Sequence, residues 1–390
     1  MSDFRYLVTQ LYQSGSTPNP VIAEIPLTNV NFSQEINSNG AFSGEVLLSG
    51  LDPNMAANIV NSTIPAKYCI YVEYAPTDGN GVIVWGGVIW TREYDSANQI
   101  LSINAQELMS YFTRRRIQDT TVYTNQDPMT IANSLITYAQ GKTYGNIGVQ
   151  TNSNTSGFTV SRTYYNFELK EVYQAIKDLS TGLDSATETP FFDFNITPIY
   201  NSSHQIVKYF ESQSPYLGNN YPTNPITTVF DFPGNIVSYT YPEDGTTAAN
   251  RIYGLGYGAN TTKLLATAND PSAYGSNGFP LLEESASFID VNDPTLLKAV
   301  TVGQVNAKSY PPTTVQVIVP SYISPNYGTY FIGDFVRLAI FDDFFSNGTN
   351  YRAAGEIYRI TSINVVPGED KADQVTITLT LPLATTGTVA

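Results

Sequence analysis

One pattern occurs twice in this chain, and it constrains the fold more than anything else. Asn29 to Gly50 reads NVNFSQEINSNGAFSGEVLLSG, and Asn235 to Gly256 reads NIVSYTYPEDGTTAANRIYGLG. Each stretch runs 22 residues from Asn to Gly, with a glycine midway at Gly40 or Gly245. Each leads to an Asp-Pro helix start: Asp52-Pro53 at once, and Asp293-Pro294 after an inserted stretch, Tyr257–Asn292. Three strand-like segments then follow in the same order. Tyr68–Tyr74 matches Phe335–Phe341, Gly87–Tyr94 matches Gly355–Ser362, and Ile100–Ala105 matches Val375–Thr380. The turns Asp95–Gln99 and Asp370–Gln374 fall at the same place, and the last two strands of each copy read as a hairpin. Identity between the copies is low, but the shared order of elements favours a degenerate duplication.

The rest of the chain fits that frame. Short β-rich runs (Val21–Leu27, Phe42–Leu48, Val82–Trp90, Val315–Val319, Glu356–Val365) alternate with Gly, Asn, Asp and Pro punctuation. Asp52, Asp127 and Asp293 each precede a proline, a pairing that caps orphan N–H groups and starts a helix. After Asp127, residues Ile131, Ala132, Leu135, Ile136 and Ala139 share one face, and Gly141 stops the helix. A fourth helix is expected from about Phe167 to Ser180, with Leu169, Val172, Tyr173, Ile176 and Leu179 on its apolar face and Gly182 at its end. The expected architecture is mainly β with an α+β insertion. Two tube-like antiparallel barrel or sandwich domains, each with one helix, flank a smaller α+β domain. The expected bounds are 1–115, 116–228 and 229–390, with a loop-and-strand insertion at about 257–292. Asp52, Asp127, Asp293, Gly87, Gly355, Gly333 and Asp334 are the expected cap and turn residues.

Composition narrows the function. Only 14% of residues are charged, while tyrosines number 28, a balance suited to surfaces buried against partners. The net charge of −15 argues against an electrostatic nucleic-acid binder, which needs a basic face. A single cysteine, Cys69, excludes an internal disulfide and multi-cysteine metal sites; a single histidine, His204, excludes His-rich ones. The best apolar run, Val82–Trp90, is far short of a membrane span. The N-terminus lacks a signal-peptide pattern, so synthesis in a cytoplasm is expected, and the Asn-X-Ser/Thr triplets at Asn31, Asn61, Asn195 and Asn260 are by-products of composition.

Signs of catalysis are weak, and no cofactor or metal is expected. His204 sits in a polar turn, Asn201–Gln205, and Cys69 inside a strand. The acid pairs Glu243-Asp244, Glu283-Glu284 and Asp342-Asp343 are sequence neighbours, and neighbours on a strand point to opposite faces. Gly254-x-Gly256-x-Gly258 follows a strand but no βαβ unit surrounds it, so a flexible loop is expected. Arg114-Arg115-Arg116 is the one basic run; a subunit contact, a DNA contact and a solvated linker are open readings, with the subunit contact taken as the candidate.

A chain that folds one lobe twice can imitate a dimer, and three such chains can close a ring of six similar lobes. At this point the sequence resembles a known family. The runs Arg5-Tyr6-Leu7-Val8, Ala41-Phe42-Ser43-Gly44, Val84-Trp85-Gly86-Gly87-Val88-Ile89 with Thr91-Arg92, Phe232-Pro233-Gly234-Asn235-Ile236, Ala249-Asn250-Arg251, Gly278 to Glu283 and Gly333-Asp334-Phe335-Val336-Arg337-Leu338 are similar, in order, to minor tail proteins of long-tailed phages (siphoviruses) of the tail-tip or baseplate-hub type. That resemblance implies a structural homotrimer at the virion tail tip with two tube-like barrels per subunit. It implies a distal tail protein or tail-tube ring on one side and a tip or fibre protein on the other. Tape measure protein and DNA would pass through the channel. Acidic charge lining that channel would keep DNA from sticking. The rival expectations are a receptor- or carbohydrate-binding tail protein, with Tyr216, Tyr221, Tyr239 and Tyr241 stacking on sugars, a tail-associated hydrolase, and a hexameric distal tail protein with one barrel per chain.

Overall fold

In the computed structural model, the period-two alternation of the sequence becomes one long sheet of 13 strands with smaller sheets beside it. The structure describes residues 3–76, 81–181, 191–219, 225–270, 278–288, 291, 294–309, 314–345, 356–368 and 372–381. The first copy contributes β1 (Phe4–Gln10), β2 (Val21–Glu24), β3 (Thr28–Glu35), β4 (Ala41–Leu47), β5 (Tyr68–Tyr74), β6 (Val82–Asp95) and β7 (Ile100–Glu107). They lie in the order β3-β4-β7-β6-β5-β1-β2, every neighbour antiparallel. Helix α1 (Pro53–Ser62) connects β4 to β5; the Asp52 carboxylate accepts from the Asn54 and Met55 amides at 2.9 and 3.4 Å. Ile59 is the α1 residue that drops into the core.

The middle segment holds β8 (Thr121–Gln126), α2 (Pro128–Gly141), β9 (Val149–Thr151), β10 (Val160–Tyr164), α3 (Val172–Ser180), β11 (Asp193–Tyr200) and β12 (Ile206–Gln213). One sheet runs β11-β12-β9, and β8 pairs with β10. The buried residues of α2 include the whole expected apolar face, and Asp127 caps it while also accepting from Ser156 and Gly157. Helix α3 starts five residues later than expected. Leu169 adopts a left-handed φ of 45° and is exposed, so it leaves the face; the chain is pinned there by an Arg116–Glu171 bridge and by the Val172 amide donating to the Arg115 carbonyl. Gly182 lies outside the described residues.

The C-terminal third holds β13 (Val229–Phe232), β14 (Ser238–Thr240), β15 (Arg251–Leu255), β16 (Leu265–Asn269), β17 (Glu283–Ser287), α4 (Pro294–Lys308), β18 (Thr314–Pro320), β19 (Phe335–Ile340), β20 (Glu356–Val366) and β21 (Gln374–Thr380). Its part of the long sheet reads β14-β18-β21-β20-β19-β13. That matches β3-β4-β7-β6-β5-β1 strand for strand, except that β13 runs parallel to β19 whereas β1 runs antiparallel to β5.

The sequence alignment of the copies needs one correction. The counterpart of β4 is β18, after the Asp-Pro helix, and not the Ala249–Gly256 stretch before it. That stretch forms β15, the centre of a separate sheet, β16-β15-β17, with α4 packed on it through Val302 and Val305 against Ile252 and Ala268. Gly254 and Gly256 are therefore not loop residues for flexibility. A side chain at Gly254 would collide with Thr301 of α4 at 2.0 Å, and one at Gly256 with Leu297 at 2.8 Å. They let the helix lie close on the strand. The flanking Gly258 does sit in the turn, at φ +111°.

Two large cores hold the molecule together. One draws on both copies at once, from Phe4, Phe32, Phe42 and Trp85 to Phe230, Val317, Tyr330 and Ile377, and Tyr327 packs its ring against both Phe4 and Tyr74. The other joins the far face of β5 and β6 to the middle segment through Tyr71, Val88, Phe112, Ile136, Ile176 and Phe194.

Candidate assembly site: a shared sheet and two open edges

The two copies are joined edge to edge. Strand β20 pairs by its first half with β19, through Phe335–Leu338, and by its second half with β3 of the first copy. In that junction Ser362 faces Glu35, Ile363 faces Gln34, Asn364 faces Ser33 and Val365 faces Phe32. The Ile36 amide donates to the Thr361 carbonyl at 3.1 Å, which fixes the ladder's phase: Ile363 and Val365 turn their amides toward β3.

The two long hairpins carry the same irregularity. One extra residue breaks the pairing at Trp90, between Ile89 and Thr91, and at Thr361, between Ile360 and Ser362. Counted from that bulge, Thr91 corresponds to Ser362, Arg92 to Ile363 and Tyr94 to Val365. This register replaces the sequence match of Gly87–Tyr94 to Gly355–Ser362, which is offset by three.

Strand β6 uses only half of its outer edge. Its first half pairs with β5 as far as Val88, and beyond Ile89 no strand among the described residues lies on that side. The Glu107 amide donates to the Gly40 carbonyl, which sets β7's Asn104 and Ser102 facing β6, so Thr91 and Glu93 bond inward while Arg92 and Tyr94 present their amides outward. At the other end of the sheet, β14 pairs with β18 on one side and, among the described residues, with no strand on the other. One open edge is the counterpart of β20's second half, and the other is the counterpart of β3.

One face of the sheet that spans β14, β18, β21, β20, β3, β4, β7 and β6 is a continuous polar surface. Opposed in register across it stand Thr240 and Gln316, Thr378 and Ser362, Asn364 and Ser33, Asn31 and Ser43, and Asn104 and Thr91. By register this face carries the acids Glu35, Glu45, Glu93 and Asp95, and the one cation that its strands place there among the described residues, Arg359 opposite Thr380, is buried against Asp193. A shallow depression of about 480 Å3 lies on it, with Trp90 and Arg114 at its rim. The opposite face is the shared apolar core.

A buried ion pair braces the junction. Arg359, next to the bulge on β20, donates to the carboxylate of Asp193 on β11, and both are almost wholly buried. Asp193 also accepts from Asn37 at 2.6 Å and from the Leu217 amide at 3.1 Å, while Arg359 lies over the Tyr216 ring and donates to the Gly333 carbonyl at 3.3 Å. Charge-assisted bonds are strong, and they tie β3–β4, β11 and β20 into one block. Nearby, Glu107 accepts from the Gly40 amide at 2.7 Å, and burial pushes its carboxyl up to about 8.

The expected site residues fall as follows. Arg115 is spent inside the chain, donating to the Ala139 carbonyl at the end of α2. Arg116 donates to the Thr113 carbonyl and lies 3.5 Å from Glu171. Arg114 is exposed, its guanidinium over the Trp90 ring. Gly87 is required where it stands, since a Cβ would meet the Gln106 carbonyl at 2.3 Å. Gly333 has φ +94° and a Cβ there would strike the Leu217 carbonyl, while Asp334 accepts from the Asn219 and Phe331 amides at 2.9 Å and its carboxyl is raised by burial. Asp293 and Gly355 lie outside the described residues. His204 occupies its turn with its ring stacked on Tyr200, and Cys69 is fully buried. Glu283 faces Arg251 and Tyr253 while its neighbour Glu284 binds Lys308, so that pair does diverge. Tyr216, Tyr239 and Tyr241 are packed against Phe335, Phe232 and Phe345, and Tyr221 lies outside the described residues.

These features define an architecture: a duplicated β lobe whose long sheet leaves two edges without a strand partner among the described residues. No protein-family profile and no curated protein matches the sequence. Solved structures do share the fold over nearly the whole chain. A tail protein from Neisseria meningitidis superposes with a TM-score of 0.60 at 12% identity, covering 97% of this chain and 98% of that one. The 43 kDa tail protein of prophage MuSo2 from Shewanella oneidensis gives 0.59 at 12% identity, with 97% and 98% covered. A prophage tail protein from Listeria monocytogenes gives 0.53 at 12% identity, with 96% and 94% covered. The chain thus has the fold of phage tail proteins, in agreement with the sequence resemblance.

Proposed function

We propose that the chain is a structural subunit of a phage tail tip, in which three copies close into a pseudo-sixfold ring around the DNA channel. The observation that carries this reading is the β20–β3 junction. It shows how one lobe adds to the next, and each chain keeps one unused edge of either kind. Pairing β6 of one chain with β14 of the next repeats the junction head to tail, and a head-to-tail contact closes when its rotations sum to a full turn. In this reading 1–115 and 229–390 are the two ring lobes and 116–228 is an outer domain. The polar face, whose exposed strand residues include acids and no cation, lines the passage for DNA and tape measure protein, and Arg114 sits near the contact between chains. One rim meets a sixfold distal tail protein or tube ring, and the other meets a threefold tip or fibre. Before assembly the subunit resides in the host cytoplasm. A hexameric distal tail protein is disfavoured because two lobes per chain already supply six from three.

Native mass spectrometry combined with class averages from electron microscopy tests the reading. A particle of three chain masses with six similar lobes is expected. A stable monomer at micromolar concentration, or a hexamer, overturns it.

A further inference from the structure

A cleft of about 570 Å3 opens between the outer face of the β11–β12 pair and the turn that carries Phe331. Its size falls in the range of about 300–1,000 Å3 typical of small-molecule sites. Strand alternation builds its floor. Phe194, Ile196 and Phe210 point into the core, so Asn195, Thr197 and Glu211 point the other way, with Asn195 and Glu211 directly opposed in register.

Asn195 is only 4% exposed and lines the cleft. An amide on the floor of a cleft offers two N–H donors and an acceptor oxygen to a ligand. Glu211 engages the Thr197 hydroxyl through one oxygen at 2.8 Å, which leaves its second oxygen as an acceptor. The facing wall is apolar: Val82 and Ile83 of β6, and the Phe331 ring, 44% exposed. No lysine or arginine is among the described residues that line the cleft.

We propose that this cleft binds a neutral saccharide. An amide and a carboxylate side by side supply two donors and several acceptors, the set that reads neighbouring hydroxyl groups. An exposed aromatic ring with an aliphatic wall packs against the C–H face of a pyranose. A carboxylate on the floor with no cation beside it repels anionic ligands. Nothing in the ring assembly enters this proposal, so it stands or falls separately from it.

The full chain, in whatever assembly it forms, is screened on arrayed neutral oligosaccharides of glucose, galactose and N-acetylglucosamine, and the best binder is titrated by calorimetry. Saturable binding is expected, weakened at least tenfold by both Asn195→Leu and Phe331→Ser. Phe331 is at the surface, so Phe331→Ser keeps the test valid if Asn195→Leu fails to fold. Three results overturn the proposal: no neutral saccharide binds, Phe331→Ser binds as well as the parent chain, or acidic sugars or an extended peptide from a random library bind more tightly than every neutral saccharide.

Discussion

Strands β20 and β6 are the same element in two settings. Each ends a long hairpin, each carries a bulge at the same place, and each pairs by its first half within its own lobe. The second half of β20 is covered by β3, and its residues Ile363 and Val365 are buried. The second half of β6 has no strand against it among the described residues, and Tyr94 at the equivalent place is 52% exposed. The polar pattern follows. Arg92, Glu93 and Asp95 on the open edge replace Ile363, Asn364 and Val366. A short, bulged, charged edge resists indiscriminate pairing, so it accepts only a partner with the right register and charges. The difference teaches what covering an edge does to its sequence: the closed copy is apolar, and the open copy is polar and charged.

The brace beside the junction is asymmetric too. Arg359 corresponds to Val88, which simply packs in the second core, and Glu107 corresponds to Leu381. The inner joint has a buried ion pair where the outer one has apolar contact. Removing one partner of a buried pair strands the other charge, so Arg359→Ala should lower unfolding free energy by about 3–5 kcal/mol, while Arg359→Met together with Asp193→Leu should recover most of it. Denaturant titration reads both; equal midpoints for Arg359→Ala and the parent chain would remove the brace from the argument.

Proline separates the two joints most sharply. Ile363→Pro loses a core side chain and an amide bonded to β3, a cost on the order of 2–5 kcal/mol. Tyr94→Pro removes only an outward amide, so the subunit's own stability should change by less than about 0.5 kcal/mol. Assembly should nevertheless fail, leaving single chains on a sizing column. Rings formed by Tyr94→Pro would show that β6 is not the contact.

Acidity should act on the inner joint. With its carboxyl at about 8 in the folded chain against about 4.3 when unfolded, Glu107 keeps a proton on folding. Its contribution is fully present below about pH 4.3 and is lost as pH rises through about 8. The melting temperature should therefore fall by several degrees between about pH 5 and pH 9, and Glu107→Gln should flatten that slope. The smallest effect is expected at α1, which has no counterpart between β18 and β19. Asp52→Ala should cost about 0.5–2 kcal/mol, and an unchanged melting curve would mean the cap is idle.

Much of the fold was legible because its signals are local. The caps Asp52 and Asp127, the apolar face of α2, the β21 hairpin and the glycine at Gly87 each depend on neighbours a few residues away. The helix expected from about Phe167 begins at Val172, because the apolar periodicity runs through Leu169, a residue in a left-handed turn beside the tertiary bridge Arg116–Glu171. The copy alignment slipped at β15 for a similar reason. Two β-rich stretches flank α4, and nothing local says that the second, β18, is the one that joins the long sheet. One signal for the open edge was present: β6 is 14 residues long, longer than the β7 strand of 8 that it pairs with.

By itself the sequence determined that the chain is mainly β, folds one lobe twice and presents few charges, because alternation, turn chemistry and composition are properties of the chain alone. Only the tertiary structure decided which edges meet, that Arg359 reaches Asp193 across 166 positions, and that Asn195 and Glu211 share the floor of a cleft. Sheet edges and buried polar groups are defined by what lies opposite them, and their partners sit hundreds of residues away or in another molecule.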